Sequence, residues 1–136
     1  MKDFHQRISK NKLYSEYVKM LNGYLGLSKR EAEIFSFIVK LDTEWQPKSG
    51  LDFKDVLSTS NRKLIIRECN INKTNLSRFI AVLKVKGLIS TNKNGGYELP
   101  AKLTIDSDTR LIETLFTFEI IEDEITRQNS KTYITD

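Results

Sequence analysis

The residue types that usually carry chemistry are scarce in this chain. Cys69 is the only cysteine and His5 the only histidine. A zinc site built on His and Cys, or a Cys-His or Ser-His relay, needs partners that the chain does not contain. A single cysteine also rules out an intramolecular disulfide. The apolar neighbours of Cys69 suit a small buried side chain in a reducing compartment better than a reactive thiol. Asp106 and Asp108 stand beside Ser107 and Thr109 and read as turn residues, not as an acid/base pair. No catalytic residue, cofactor or metal is expected, and the chain reads as a non-enzyme. What remains is a set of side chains suited to binding: Asn72, Lys73, Thr74, Asn75, Ser77 and Arg78, polar or basic and close together.

The elements around that run must hold it outward. Residues Arg62 to Ile89 read as two helices joined by a tight turn. The first packs Ile65, Ile66 and Cys69 inward. Asn70 stands where the chain leaves the helix with positive φ, a place where Asn commonly substitutes for Gly. Ile71 plugs the angle between the helices, and Asn72 caps the second. At 100° per residue, Leu76, Phe79, Ile80 and Leu83 gather on one side of that second helix. Thr74, Ser77, Arg78, Ala81 and Val85 gather on the other. Such a face, small, polar and basic, suits entry into a major groove, where Thr, Ser, Asn and Arg can bond to bases or phosphates. Gly87 to Thr91 and Tyr97 to Leu99 read as two short strands around an Asn/Gly turn, a β-hairpin. Lys93 and Asn94 at its tip suit a phosphate or the minor groove.

Upstream, Leu13, Tyr14, Tyr17, Val18 and Leu21 recur at helical spacing from Lys10 onward, with Gly23 as the expected left-handed stop. Ser28-Lys29-Arg30-Glu31 is a capping box. It opens a helix whose buried stripe is Ile34, Phe35, Ile38 and Leu41. Asp42 to Gly50 is expected to be a loop broken by Pro47 and Gly50. Its Trp45 suits the edge of the core, with a contact role as the alternative. Phe53, Val56 and Leu57 fit one or two helical turns better than a strand, and Ser58 to Asn61 offer N-caps for the next helix. Downstream, Arg110 to Ile121 alternates Ile112, Thr114, Phe116, Phe118 and Ile120 with polar positions, the period of a strand.

Net charge is +4, but it is divided. Residues 1–105 carry 19 Lys/Arg against 10 Asp/Glu, and residues 106–136 carry 3 against 8. A basic body with an acidic end points to an anionic partner for the body. Within residues 61–86 seven basic residues face one acid, Glu68, a density expected where phosphates are neutralised. The plainer alternative is that Arg62, Lys63, Arg67, Lys84 and Lys86 only solvate helix surfaces. No apolar run approaches the roughly 20 residues a bilayer requires. The charged start at Met1 has no apolar stretch behind it, so no secretory signal is expected and a cytoplasmic location is.

The run Ile71 to Ile89, ending Leu83-Lys84-Val85-Lys86-Gly87-Leu88-Ile89, resembles the winged helix-turn-helix superfamily, in the version found in bacterial and phage transcription regulators and replication initiators. The resemblance covers residues 28–99. It implies that the second helix of the motif reads DNA and that the hairpin, the wing, touches backbone. Asn72, Lys73, Thr74, Asn75, Ser77 and Arg78 would then form the recognition set, with Lys84, Lys93 and Asn94 beside them. The long loop after Asp42, Asn70 in place of glycine, and Val82 and Val85 outside the core stripe depart from the pattern.

The expected fold class is α+β, mainly helical: a winged helix-turn-helix at 28–99, an N-terminal arm and helix at 1–27, a C-terminal strand extension at 100–121 and a polar tail at 122–136. Two functions compete. One is duplex DNA binding by a transcription or replication regulator. The other is a protein–protein adaptor or a structural component of a phage or transcription assembly, since fold does not fix function. Residues 10–24 and 110–121 are expected to mediate self-association or docking on a protein partner, because each presents an apolar face that needs cover.

Overall fold

Each helix begins or ends at a residue whose side chain or backbone does identifiable local work. The computed structural model describes residues 7–46 and 53–106, with Ile112 and Glu119. Over them the chain forms four α-helices, α1 (Leu13–Leu25), α2 (Lys29–Glu44), α3 (Thr59–Glu68) and α4 (Lys73–Val85). A two-stranded antiparallel sheet follows, β1 (Ser90–Thr91) and β2 (Tyr97–Glu98). The architecture is mainly helical with a small sheet, within the α+β class. The strand expected over Arg110 to Ile121 and the tail at 122–136 lie outside the described residues. Of that strand only Ile112, half-buried against the core, and Glu119, exposed, are described.

Helix α2 opens on the capping box: the Glu31 N–H donates to Ser28 Oγ at 3.1 Å, and the Ser28 N–H donates to Glu31 Oε1 at 2.8 Å. Ser58 and Asn72 cap α3 and α4 in the same way, accepting from Asn61 N–H at 3.3 Å and Asn75 N–H at 2.8 Å. These bonds satisfy donors that the first helical turn leaves without partners. The ends are equally local. After α3, Asn70 takes φ of 51°, and the Ile71 N–H reaches back to Ile66 O at 3.2 Å. After α4, Gly87 takes φ of 76°, its N–H donates to Lys84 O at 3.0 Å, and the Leu88 N–H donates to Leu83 O at 2.9 Å. The second is a Schellman ending, the first shares its 6→1 bond, and each seats the next apolar residue, Ile71 or Leu88, in the core.

Three boundaries differ from expectation. Helix α1 runs through Gly23 to Leu25, and Gly26, with φ of 65°, ends it. The turn is secured by Asn22, which donates from Nδ2 to Leu27 O and accepts the Leu27 N–H, both at 3.0 Å. Helix α2 continues through Asp42 and Thr43, both buried, to Glu44. Thr43 satisfies its hydroxyl by donating to Val39 O at 3.0 Å, and the Lys54 ammonium stands 2.5 Å from Asp42 Oδ1. That carboxylate oxygen accepts no well-formed hydrogen bond, so the ion pair is its compensation.

The third difference is that Phe53 to Leu57 forms no helix. The Val56 N–H donates to Tyr97 O at 2.9 Å, and the Tyr97 N–H donates to Asp55 Oδ1 at 3.0 Å. Lys54 to Val56 therefore lies along β2 on the side away from β1. The hairpin is shorter than expected, with Thr91 opposite Tyr97 and Ser90 opposite Glu98.

The core lies between α2 and the elements around it. Ile34, Phe35, Ile38 and Val39 are wholly shielded, and Val18, Val56, Ile65, Leu76, Leu83 and Ile89 reach them from the other segments. Burial of each such side chain contributes about 1.5–3 kcal/mol. Phe79, expected in this stripe, is only half-buried, as are Ile66 and Cys69. The stripe of α1 packs on α2 of the same chain: Tyr14, Tyr17, Val18 and Leu21 are buried, and Leu13 is partly so. Met20 and Tyr24 of the same helix stay exposed, while that stripe is covered within the chain. A single 3-10 turn at Ala101–Leu103 brings Leu103 and Ile105 beside it, and the Tyr17 hydroxyl donates to Leu103 O at 3.3 Å. Among the described residues no helix is long and apolar enough to cross a membrane.

Candidate nucleic-acid interface

Helix α4 meets the core through Leu76, Ile80 and Leu83. Its other side is open: Lys73, Thr74, Asn75, Ser77, Arg78, Ala81, Lys84 and Val85 are all exposed. Every expected recognition residue is therefore at the surface, on one helix. Asn72, also exposed, spends its Oδ1 on the cap. Among the described residues, none of Lys63, Lys73, Arg78, Lys84 or Lys93 forms an ion pair. The uncompensated positive charge of α3 and α4 is thus available to an anion. Arg67 is the exception, paired with Glu68 at 3.2 Å.

One edge of this face borders an open cleft of about 470 Å3 lined by Arg30, Asn72, Asn75, Arg78, Phe79 and Val82, among others. Arg30 is already committed there. Its guanidinium donates to Glu33 at 3.0 Å, to Asn70 O at 3.1 Å and, through the same terminal nitrogen, to Cys69 O. This places a cation at the carbonyl end of α3, where the helix dipole favours one. Val82, half-buried, lies in this cleft, while Val85 is 88% exposed.

The hairpin tip presents Lys93 and Asn94 to solvent. It is organised by Asn92, a residue that sequence reasoning assigned only to the turn. Asn92 Oδ1 accepts the N–H groups of Asn94 and Gly96, both at 3.0 Å, while Nδ2 donates to Lys54 O at 2.7 Å. Gly96 is buried against the same segment, where an added Cβ would stand 2.3 Å from Lys54 O. The signal available in the sequence was the Asn92…Gly95-Gly96 spacing, but its partner, Lys54, lies 38 residues away.

Burial raises the Cys69 thiol above its ordinary value, opposed by Arg30 and reinforced by Glu33 and Glu68, so it is held protonated rather than activated. Among the described residues no group of three His, Cys, Asp or Glu side chains could hold a metal ion. A second cleft, about 450 Å3, lies between Asp42, Trp45, Lys54 and Asp106, and its ionisable residues include the Asp42–Lys54 pair that ties α2 to the hairpin's neighbour. Trp45, half-buried, forms one wall of it. No family model, curated protein or solved structure matches the chain.

Proposed function

We propose that the protein is a winged helix-turn-helix protein that binds duplex DNA, of the bacterial or phage transcription- or replication-regulator kind. In this reading α3 and α4 are the helix-turn-helix, α4 enters the major groove, and the hairpin is the wing. The observation that carries it is the exposed face of α4, where Thr74, Asn75 and Ala81 flank Arg78 opposite the core stripe and no acid neutralises it among the described residues. Small side chains allow close approach of the helix to base edges, and Arg is the residue best shaped for two hydrogen bonds to guanine. Lys93 and Asn94 stand at the hairpin tip, where backbone phosphate would be met.

Arg78→Ala tests the assignment. If Arg78 makes a bidentate base contact, its loss weakens binding to the preferred duplex by about 1–3 kcal/mol and relaxes preference at one base position. A folded variant that binds that duplex as tightly as the parent sinks the assignment.

One observation favours a second reading, docking on another protein. Val85, 88% exposed on the same face as Arg78, suits an apolar contact as well as it suits a thymine methyl. The two readings separate on salt: phosphate neutralisation weakens steeply as salt rises, whereas an apolar protein contact does not.

A further inference from the structure

Two cations from different helices are drawn to one aromatic ring at the base of the hairpin. The Arg62 guanidinium, from the first turns of α3, stands 5.8 Å from the centre of the Tyr97 ring, and the Lys84 ammonium, from the last turn of α4, stands 5.9 Å from it. Both side chains keep their charge there, and the face of a half-buried tyrosine ring offsets only part of it. No ion pair to either cation is present among the described residues. Asp55, on the adjoining segment, has its Oδ1 turned to the N–H groups of Leu57 and Tyr97. Arg62 is held in place because its Nε donates to Leu57 O at 2.8 Å, and among the described residues its terminal nitrogens make no hydrogen bond.

Position completes the case. At 100° per residue Lys73, Ser77 and Lys84 fall within a sector of about 40° on α4, so the cluster continues the polar edge of the proposed DNA-reading face toward the hairpin. We infer that Arg62, Lys84 and the Tyr97 ring form a clamp for a single backbone phosphate, placed between the reading helix and the hairpin. This rests on the DNA-binding reading and assigns Arg62 and Tyr97 a part in it. The ring already holds one cation at 5.8 Å and the other at 5.9 Å from its centre, which reduces the ordering needed when the phosphate arrives.

The test is binding of a random-sequence duplex by the intact chain across a salt series, for the parent, Arg62→Gln, Lys84→Gln, the double variant and Arg67→Gln as control. A shared phosphate predicts that each single variant lowers affinity and that the double variant reduces the salt slope by about one unit, not two. Arg67→Gln leaves the slope unchanged, its charge being paired with Glu68 outside the cluster. Among the described residues the Lys84 side chain makes no backbone hydrogen bond, so its variant carries the test should Arg62→Gln fail to fold. A loss of two units, an unchanged slope, or an equal loss in the Arg67 control overturns the clamp while leaving DNA binding intact. A parent that binds no duplex overturns both.

Discussion

Gly96→Ala should damage the fold through one contact that local sequence does not disclose. The new Cβ would meet Lys54 O at 2.3 Å, Phe53 Cδ2 at 3.0 Å and Asp55 Cβ at 3.1 Å. The nearest of these is a backbone atom, so no side-chain rotation relieves it. Lys54 can retreat only by stretching the 2.7 Å bond from Asn92 Nδ2 and the adjoining 2.9 Å bond from Val56 N–H to Tyr97 O. Overpacking of this kind costs about 1–3 kcal/mol, and loss of one hydrogen bond adds about 1 kcal/mol. The expected destabilisation is therefore about 2–4 kcal/mol, measured by urea unfolding monitored through far-ultraviolet circular dichroism. Gly95→Ala is the matched control: Gly95 has φ of 83° but nothing within 4 Å of an added Cβ, so only the left-handed backbone penalty of about 1–2 kcal/mol applies. A Gly96→Ala loss under 0.5 kcal/mol, or one smaller than that of Gly95→Ala, would refute the placement of Lys54 to Val56 along β2.

Three further predictions concern the hairpin and the buried phenols. Asn92→Ala removes one donor and an acceptor shared by two N–H groups, and should cost about 1.5–3 kcal/mol in the same assay; a neutral variant would deny Asn92 its organising role. Lys93→Ala should weaken binding to all duplexes alike and reduce the salt slope by about one unit; altered sequence preference at constant slope would contradict that. Burial raises the Tyr17 phenol above its ordinary value of 10.0. Its contribution to stability is thus complete below pH 10.0 and is lost as pH rises through the raised value. The melting temperature of the parent should fall more steeply above pH 10.0 than that of Tyr17→Phe, and parallel curves would exclude the effect.

What could be read in the sequence was local. The capping box at Ser28, the positive φ at Asn70, the cap at Asn72 and the helix end at Gly87 each depend on residues within a few positions of one another. The exposed face of α4 was legible for the same reason, since a helix repeats on its own period. The misread segments answer to distant partners. Helix α2 outlasts Leu41 because Lys54, twelve residues past Asp42, neutralises the buried carboxylate. Phe53 to Leu57 carries apolar spacing that fits a helical turn, yet it lies along β2 because Tyr97 offers both its N–H and its C=O there. Gly23 is the local exception: it carries the composition of a stop, but Asn22, five residues from Leu27, binds it and sets the turn at Gly26. The gathering of Arg62 and Lys84 on Tyr97 joins residues from three elements, a convergence no linear spacing reveals.

If the positive surface of α3, α4 and the hairpin meets duplex DNA, titration of the intact chain with a random-sequence duplex at about 50 mM and about 200 mM salt will reveal it. Binding is expected at the lower concentration, with a loss of about a thousandfold or more at the higher, as for six or more phosphate contacts. Failure to bind any duplex at the lower concentration, or binding that does not change between the two concentrations, would contradict that reading.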